Sequence, residues 1–280
     1  MAQYDAALRH LTVPYETLIV PTRHGETHLL AAGAKDAPPV VLIHAWTANA
    51  TMWILLLNGL AGGFRLYAPD VVGHTGKSAP TQLPPSGPAY AEWLKDVLEG
   101  LHLQQAAFVG ISGGGWIVLR FAAYAPEFLT QAVLISPAGM VPSPASALAR
   151  MALYVSLPTA ANVRKFVQMM FGPAQPAPDG VVEVFQLSFR QFKNRLGGPG
   201  VLSDADLRRL SAPTLVLIGQ HDPLFPAEGV IARARAILPK CVGDIISAMG
   251  HIPSDADWAT IRARVLRFLT AETLAPVSPK

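Results

Sequence analysis

Short apolar runs alternate along most of the chain with longer segments of helical periodicity. The run at 39–44, Pro-Val-Val-Leu-Ile-His, is typical. A strand that is buried on both faces of a parallel sheet shows this unbroken apolar pattern rather than a polar alternation. Similar runs predict further strands at 64–69, 106–111, 132–136, 213–219 and 242–247. An antiparallel hairpin, with strands at 15–21 and 26–31, is predicted to precede them.

The segments between these strands predict helices. Their periodicity places them at 52–61, 89–101, 116–125, 228–238 and 255–270. Alternating strands and helices are typical of a mostly parallel sheet that is covered by helices on both faces. The predicted fold class is therefore α/β.

Residues 138–212 interrupt the alternation. This stretch contains no convincing buried strand, but it has many prolines and glycines and two helical patterns, at 145–156 and 181–195. A structureless loop of such length is implausible inside a compact domain. We therefore expect a small helical cap or lid at 138–212, inserted between two late strands of a core that comprises residues 1–137 and 213–280.

The composition indicates a folded protein without a membrane span. Of the 280 residues, 51% are hydrophobic and only 15% are charged, which excludes a disordered chain. The mean hydropathy of +0.32 is high for a soluble protein. However, the longest unbroken apolar run covers only residues 52–57, far short of the about 20 residues that cross a bilayer. The start of the chain shows no export signal, so we expect a cytoplasmic location.

Charge and cysteine usage limit the classes of partner. The formal net charge is +3, and no run of consecutive Lys or Arg marks a nucleic-acid surface. Cys241 is the single cysteine, so an internal disulfide is impossible, and we interpret Cys241 as a structural residue beside a strand. The expected partner is a small molecule, and the sequence leaves a homodimer open.

The strongest motif for chemistry is Gly110-Ile-Ser112-Gly-Gly114, between a predicted strand and an apolar helix. It matches the G-x-S-x-G nucleophile elbow in the strand–turn–helix context that the motif requires. The sharp turn needs small flanking residues. It also exposes the Ser112 hydroxyl beside a helix N-terminus, where developing negative charge is stabilised. We predict that Ser112 is a nucleophile.

A serine nucleophile needs a base, and the base needs a carboxylate that orients it. Asp222 directly follows the predicted strand 213–219, and His251 follows the strand 242–247. Both therefore lie at carboxyl ends of strands, where open α/β sheets bind ligands, and the order Ser, Asp, His accompanies this type of elbow. We predict a Ser112–Asp222–His251 catalytic triad. The neighbouring His221 is expected to point away from it.

The tetrahedral intermediate of acyl transfer carries an oxyanion, which is stabilised by backbone N–H donors. One donor is expected from Gly113, the residue after the nucleophile. The other is expected from Trp46, in the loop after the strand that ends at His44. The Trp46 indole is then expected to line the pocket.

Two other motifs suggest different chemistry, and the residues around them argue against it. Residues 71–78 end in Gly-Lys-Ser like a P-loop, but Val71 stands at the first glycine position and prolines follow where a helix should begin. Residues 23–27 look like the phosphohistidine signature of histidine phosphatases and phosphoglycerate mutases, but too few residues follow for its helix. His24 and His28 belong to the hairpin, so we expect no metal site and no cofactor.

With these motifs in view, residues 15–269 resemble the α/β-hydrolase superfamily. Besides the elbow, residues 70–78 are similar to its D-x-x-G-x-G-x-S loop, with one additional residue between the two glycines. Residues 219–226 and 250–253 are similar to its acid and histidine loops. From Pro84 through the elbow to the insertion, the chain is most similar to small bacterial carboxylesterases.

The resemblance implies a serine esterase that works through an acyl-enzyme. Serine at the elbow, rather than aspartate, argues against haloalkane dehalogenases and epoxide hydrolases. A perhydrolase, a lactonase or a C–C bond hydrolase would use the same triad, and Trp46 is reminiscent of cofactor-free perhydrolases and aryl esterases. A hydrophobic-ligand receptor is the non-enzymatic alternative. Apolar acyl or aryl groups are expected in a pocket lined by seven residues: His44, Met140, Tyr154, Phe166, Met170, Phe171 and Ile252.

One departure from the superfamily bears on catalytic efficiency. The oxyanion loop of the superfamily usually contains His-Gly, and here Ala45 stands at the glycine position. If the loop requires a positive φ there, we expect the Trp46 N–H to be misaimed in the free enzyme, because alanine is disfavoured in that conformation. The loss of one such donor costs about 10²–10³-fold in rate.

Overall fold

The computed structural model describes residues 2–173, 176–191 and 198–273. Within these ranges, eight strands form one sheet in the order β1-β2-β4-β3-β5-β6-β7-β8. The strands are β1 Tyr15–Thr22, β2 Gly25–Ala32, β3 Pro39–Ile43, β4 Arg65–Pro69, β5 Ala106–Ile111, β6 Leu129–Ile135, β7 Thr214–Gly219 and β8 Cys241–Ile246.

Helices connect most of these strands. In the described ranges they are α1 Ala2–Leu8, α2 Ile54–Leu60, α3 Ala89–Gly100, α4 Gly113–Tyr124, α5 Ala145–Ser156, α6 Ala160–Phe171, α7 Asp179–Gln191, α8 Asp204–Arg208, α9 Ala227–Ile237 and α10 Asp255–Thr273. Two short 3₁₀ helices, Ala50–Trp53 and Pro126–Phe128, precede α2 and β6.

The sheet is antiparallel at one edge and parallel elsewhere. The predicted hairpin is confirmed, since β1 pairs with β2, and β2 pairs antiparallel with β4. All strand pairs from β4 through β3, β5, β6 and β7 to β8 are parallel. The carboxyl ends of these strands therefore share one edge of the sheet, and the loops that carry the predicted chemistry leave from that edge.

Helices cover both faces of the sheet, as the apolar runs predict. On one face the core includes Trp93 of α3 and Phe121 of α4, and on the other it includes Trp53 and Ile261 of α10. These four side chains are fully buried. The unbroken apolar character of the central strands follows from this double covering.

Four helices, α5 to α8, lie between β6 and β7, in the region of the predicted cap. The predicted helix at 145–156 is α5, and the pattern at 181–195 corresponds to α7, with residues 192–195 outside the described part of the chain. Helix α6 was not predicted from the sequence. Its start is marked by Thr159, whose hydroxyl accepts a hydrogen bond from the Asn162 N–H at 3.2 Å.

Some predicted bounds are wrong for local reasons. The helix predicted from residue 116 begins at Gly113, because three glycines hide its first turn from a search for good helix formers. The helix predicted at 52–61 begins as the 3₁₀ helix, whose N-cap Asn49 accepts the Thr51 N–H at 3.0 Å. Strand β6 begins at Leu129, where polar neighbours interrupt the apolar run. Helix α1 was not predicted.

The described residues contain no candidate for a membrane-spanning helix. None of the helices there combines the length and the apolar character that crossing a bilayer demands.

Candidate active site

Ser112 lies in the turn between β5 and α4, at the parallel edge of the sheet. Its backbone has φ 52° and ψ −117°, a strained conformation for a residue other than glycine. The Ser112 N–H donates to Ile135 O at 2.9 Å, and Ser112 O accepts the N–H groups of Trp116 and Ala138 at 3.1 Å each. These three hydrogen bonds hold the turn in the strained conformation, so the hydroxyl projects beyond the sheet.

Gly114 allows the elbow to approach the neighbouring strand. A Cβ at this position would lie 2.6 Å from His44 O and closer still to Ile43 O. Any side chain would push the first turn of α4 away from β3, and the nucleophile would move with it. The small residue required by the motif is therefore explained by a backbone contact.

The three residues of the predicted triad form one hydrogen-bonded chain. Ser112 Oγ lies 2.9 Å from His251 Nε2, and His251 Nδ1 lies 2.8 Å from Asp222 Oδ2. The Asp222 side chain is fully buried and the imidazole is 7% exposed. Asp222 Oδ1 accepts the N–H groups of Leu224 and Phe225 at 2.8 and 3.0 Å, so the carboxylate has a fixed orientation. With Nδ1 protonated toward Asp222, Nε2 can accept the hydroxyl proton.

The loop that carries His251 rests on the cap. The N–H groups of His251 and Ile252 both donate to Met170 O, at 2.7 and 3.0 Å. Met170 belongs to the last turn of α6, whose terminal carbonyls have no partner within the helix. Helix α6 therefore supports the His251 loop directly, a contact that was not predicted from the sequence.

The loop after β3 forms a tight turn that orients Trp46. Ala45 O accepts the Ala48 N–H at 3.0 Å and the His44 Nδ1–H at 2.8 Å. Across a trans peptide the N–H points opposite to the C=O, so the Trp46 N–H faces away from these donors. Gly113 lies close to this nitrogen, since a Cβ at Gly113 would be 3.2 Å from Trp46 N. The structure thus brings the two predicted oxyanion donors next to each other.

The expected misalignment at Ala45 is wrong. Ala45 does not have a positive φ, and the left-handed residue of the turn is Thr47, with φ 65°. Alanine is unstrained where it stands, because the turn places its unusual conformation two residues later. The backbone strain of this turn therefore lies at Thr47.

The His44 side chain connects the loop after β3 with the loop after β4. Its Nε2 accepts the Val71 N–H at 2.9 Å, while Nδ1 donates to Ala45 O. Burial lowers the pKa of the imidazole. The neutral ring therefore supports the turn at residues 45–48, named the oxyanion turn after the donor predicted at Trp46. Contact of His44 with a substrate stays a prediction.

The buried carboxylate of Asp70 holds the same region together. Asp70 was not among the predicted site residues. Asp70 Oδ1 accepts the Ala50 N–H at 2.7 Å, and Oδ2 accepts the Lys77 N–H and lies 2.9 Å from His28 Nδ1. Asp70 thereby joins β2, the start of the 3₁₀ helix and the loop 70–78. The D-x-x-G-x-G-x-S pattern was the sequence signal for this residue.

The segments at 71–78 and 23–27, which resemble phosphate-binding motifs, form contacts within the protein. Lys77 Nζ lies 2.6 Å from Asp5, and the Ser78 hydroxyl donates to Asp70 O. No helix begins between residue 78 and α3. Arg23, in the hairpin turn, forms a two-pronged contact with Asp96. Neither segment has the helix that its phosphate chemistry requires.

Two further predictions concern single side chains near these loops. Burial raises the pKa of the Cys241 thiol to about 11, which agrees with a structural residue. The His221 side chain is exposed, while Asp222 beside it is buried, so the two point apart as expected.

Other predicted pocket residues lie in or below the cap. Met140 is fully buried, and its carbonyl accepts a hydrogen bond from Arg233. The Phe166 ring packs at 5.3 and 5.0 Å from the rings of Phe185 and Phe189. Met170 and Phe171 are buried at the end of α6, and Ile252 is partly buried. Tyr154 lines an open groove beside Asp222. Contact of these residues with a substrate stays a prediction.

A cavity of about 480 Å³ lies between α1, the oxyanion turn and α7. Its wall includes Thr47, Met52 and Thr75 from the core and Leu187 and Ser188 from α7. No Asp, Glu, Lys or Arg is among the described residues that line it. The cavity is suited to an uncharged group.

Comparison with known proteins places this geometry in context. The family profile described as alpha/beta hydrolase fold matches residues 38–182. The chain is 30% identical over 278 residues to the uncharacterized carboxylesterase nap of Bacillus subtilis, covering 96% of this chain and 92% of that protein. The crystal structure of naproxen esterase (carboxylesterase NP) from Bacillus subtilis aligns with a TM-score of 0.87, at 28% identity and 96% coverage of both chains. The 2-hydroxy-6-oxo-2,4-heptadienoate hydrolase of Pseudomonas putida is 26% identical over 242 residues, 81% of this chain and 86% of that protein.

Proposed function

Because the chain belongs to the α/β-hydrolase family, we propose that it is a serine carboxylesterase for esters of apolar acyl or aryl acids. The observation that carries the proposal is the unbroken chain of hydrogen bonds from Ser112 through His251 to the buried Asp222. The carboxylesterase sequence and the naproxen esterase structure from Bacillus subtilis both align with almost the whole chain and support the same activity.

Acylation begins when His251 Nε2 takes the Ser112 proton as Oγ bonds to the ester carbonyl carbon. The carbonyl π electrons move onto its oxygen, and the N–H groups of Gly113 and Trp46 stabilise the resulting oxyanion. When the C–O bond to the leaving group breaks, the imidazolium returns its proton to the departing alkoxide. The products of this step are an alcohol and an acyl ester of Ser112.

Deacylation repeats the sequence with water. His251 takes a proton from water as its oxygen attacks the acyl carbon, and the second oxyanion is stabilised by the same two donors. The bond to Ser112 Oγ breaks, the proton returns to that oxygen, and the carboxylic acid leaves. Asp222 remains ionised and holds the imidazole throughout.

The preference for uncharged, apolar substrates rests on the surroundings of the oxyanion turn. The neighbouring cavity has no charged side chain among its described lining residues. The interior of the cap contributes the packed rings of Phe166, Phe185 and Phe189. Burying a charge in such surroundings without a partner is costly, whereas an apolar acyl or aryl group is favoured.

The second candidate is a C–C bond hydrolase, which the Pseudomonas putida relative favours. Perhydrolase and lactonase activities use the same triad and belong in the same substrate panel. A ligand receptor without turnover is disfavoured, since such a receptor has no need for a serine, a histidine and an aspartate in one hydrogen-bonded chain.

The test is a p-nitrophenyl ester series of increasing acyl length, with a 2-hydroxy-6-oxo-dienoate as the C–C substrate. Ser112→Ala should lower kcat for the best ester by about 10⁴–10⁶-fold. Ser211→Ala, at an exposed serine, is the matched control and should keep full activity. An organophosphate should label Ser112 alone. Ester turnover that survives in Ser112→Ala, or label on another residue, would contradict the proposal.

We further propose a cytoplasmic location, supported by the single cysteine, which suits a reducing compartment. Cell fractionation tests it. A homodimer is a separate proposal, and sedimentation velocity at several protein concentrations separates it from a monomer.

A further inference from the structure

Thr47 has a costly backbone conformation in the oxyanion turn. Residues 45–48 form a β-turn closed by the hydrogen bond from the Ala48 N–H to Ala45 O, and Thr47 is its third residue. A positive φ at this position of a turn favours Gly or Asn. Thr47 is β-branched and has φ 65°, so the conformation must be enforced from outside the turn.

The enforcing contact comes from the loop after β4. The Thr75 hydroxyl lies 2.8 Å from Thr47 O and 2.8 Å from Ala48 O. A hydroxyl has one proton, so the two carbonyl oxygens share it. Both carbonyls must therefore point toward the Thr75 oxygen. They converge only while Thr47 is left-handed. The hydroxyl therefore stabilises the strained form of the turn over the relaxed one.

The loop that carries Thr75 is held in place by Asp70. The Asp70 carboxylate accepts hydrogen bonds from the N–H groups of Ala50 and Lys77. Ser188 of α7 adds a longer contact, with Oγ 3.4 Å from Thr47 O. Thr75 is the closer partner and binds two carbonyls, so we assign the main effect to it. It also lies between Gly73 and Gly76, where the loop has its additional residue.

The turn determines where the Trp46 N–H points. Its peptide plane is held by the donors to Ala45 O, one of which is the Ala48 N–H that closes the turn. If Thr47 relaxes to negative φ, Ala48 moves and this hydrogen bond is lost. The 45–46 peptide can then rotate, and its N–H leaves the position beside Gly113.

We propose that Thr75 is a positioning residue for the esterase reaction: its hydroxyl holds Thr47 left-handed and thereby aims the Trp46 N–H at the oxyanion. The inference rests on the proposed function. Thr75 acts through the turn and contacts no reacting atom, so its loss affects the stabilisation of the oxyanion more than the binding of the ester.

The first test replaces only the hydroxyl. Thr75→Val should lower kcat for a p-nitrophenyl ester by about 10- to 100-fold, below the loss expected for a missing donor, with KM changed less than about twofold. Thr75→Ser keeps the hydroxyl and should stay within a few-fold of the wild type. Thr270→Val removes an exposed hydroxyl from α10 and is the matched control.

The second test removes the need for the hydroxyl. Glycine adopts positive φ without strain, so Thr47→Gly should restore most of the kcat lost in Thr75→Val. The affinity for a trifluoromethyl ketone, whose adduct with Ser112 carries an oxyanion, should fall and recover in parallel with kcat. A purely structural role for Thr75 would not produce this rescue.

The results separate the inference from the proposed function. If Thr75→Val keeps the wild-type kcat, or if Thr47→Gly gives no rescue, the inference is overturned while Ser112→Ala still tests the esterase. If the wild type hydrolyses no ester, the proposed function fails. The contact of the Thr75 hydroxyl with the turn is then tested by thermal unfolding. Thr75→Val should then lower Tm in the wild type and clearly less in the Thr47→Gly background, and equal shifts would overturn it.

Discussion

His251 is held by three separate parts of the chain. Its Nδ1 faces Asp222 after β7, its Nε2 faces Ser112 after β5, and its backbone N–H donates to Met170 O of the cap. The imidazole cannot turn without breaking one of these contacts, so its acceptor nitrogen stays on the nucleophile. Such pre-orientation avoids reorganisation during the reaction, which is how a fixed base accelerates it.

Asp222→Asn tests the orienting role of the carboxylate. The amide can donate to Nδ1, which favours the tautomer that has no acceptor at Nε2. We expect kcat to fall by about 10⁴-fold. Stability should change little, because the amide oxygen can still accept the Leu224 and Phe225 N–H groups. Asp255→Asn, at an exposed aspartate in the first turn of α10, is the control. Similar losses in both variants would contradict the assignment.

His44 should make stability depend on pH. Its Nε2 accepts the Val71 N–H, so a proton on Nε2 would face another N–H donor. Burial also lowers the pKa of His44 in the folded protein. The pKa of a histidine in the unfolded chain is about 6.5. Its contribution is therefore fully present above that value. It is lost as the pH falls, by up to about 1.4 kcal/mol per pH unit until the folded pKa is reached.

The measurement is the free energy of unfolding from about pH 8 down to about pH 5. His44→Gln should flatten the decline only in part, since burial and the nearby charge of His44 also lower the pKa of His74. The exposed His10→Gln should leave the slope unchanged. An equal slope in wild type and His44→Gln would refute the assignment.

At the scale of elements, α6 is part of the support of the site. Its C-terminal Met170 O binds two N–H groups of the histidine loop. A helix C-terminus carries partial negative charge and free carbonyls, so it suits backbone donors. The cap and the base therefore share hydrogen bonds, and a displacement of α6 moves His251.

Gly250→Ala tests this contact. A Cβ at Gly250 would lie 2.5 Å from the Phe171 carbonyl carbon and closer still to Met170 O, so α6 and the histidine loop must separate. We expect a loss of about 1–3 kcal/mol in the free energy of unfolding, measured by urea denaturation, together with a lower kcat. The matched control is Gly229→Ala in α9, where the nearest atom to the new Cβ is 3.8 Å away. Unchanged activity in Gly250→Ala would contradict the coupling.

At the scale of the molecule, Arg233 of α9 joins the two ends of the cap. Its guanidinium donates to Met140 O, where the chain enters the cap, and to Leu202 O at 2.8 Å, near the end of the cap. It also contacts Asp204 at 2.6 Å. One side chain of the core thus closes the loop formed by the whole insertion.

Arg233→Met should loosen the cap without unfolding the sheet. Hydrogen bonds to charged groups contribute about 1.5–3 kcal/mol, less where the group is partly exposed, as this side chain is. Limited proteolysis should then cut faster within residues 139–202, while the core fragments persist. Arg235→Met on the same helix removes a guanidinium that binds only Gly243 O in the described part of the chain, and it is the control. Equal cleavage rates would argue against the role of Arg233.

Prediction from sequence was most accurate where the signal is local. Strand β5 lies where its apolar run predicts, because each of its residues is buried. Helix α4 begins earlier than predicted, since its first turn is required by the close approach at Gly114 rather than by helix propensity. The elbow and the order Ser, Asp, His led to the three residues that the structure joins by hydrogen bonds.

Contacts between distant segments could not be predicted in this way. Thr75 and Thr47, or Met170 and His251, are far apart in the chain, and in each pair at least one partner is a backbone carbonyl or N–H. The family pattern indicated an additional residue in the loop 70–78, but its sequence does not reveal which carbonyls the Thr75 hydroxyl would meet.

The amino-acid sequence alone determined the doubly covered parallel sheet, and it predicted the helical insertion and the three residues Ser112, Asp222 and His251. Periodicity, composition and short motifs record these features, since each depends on side chains that are neighbours in the chain or recur at a fixed spacing. The tertiary structure alone decided that the strain of the oxyanion turn falls on Thr47, that α6 supports His251, and that Arg233 closes the cap. Backbone groups are the same in every residue and leave no signature in the sequence, so only folding shows which of them a side chain binds.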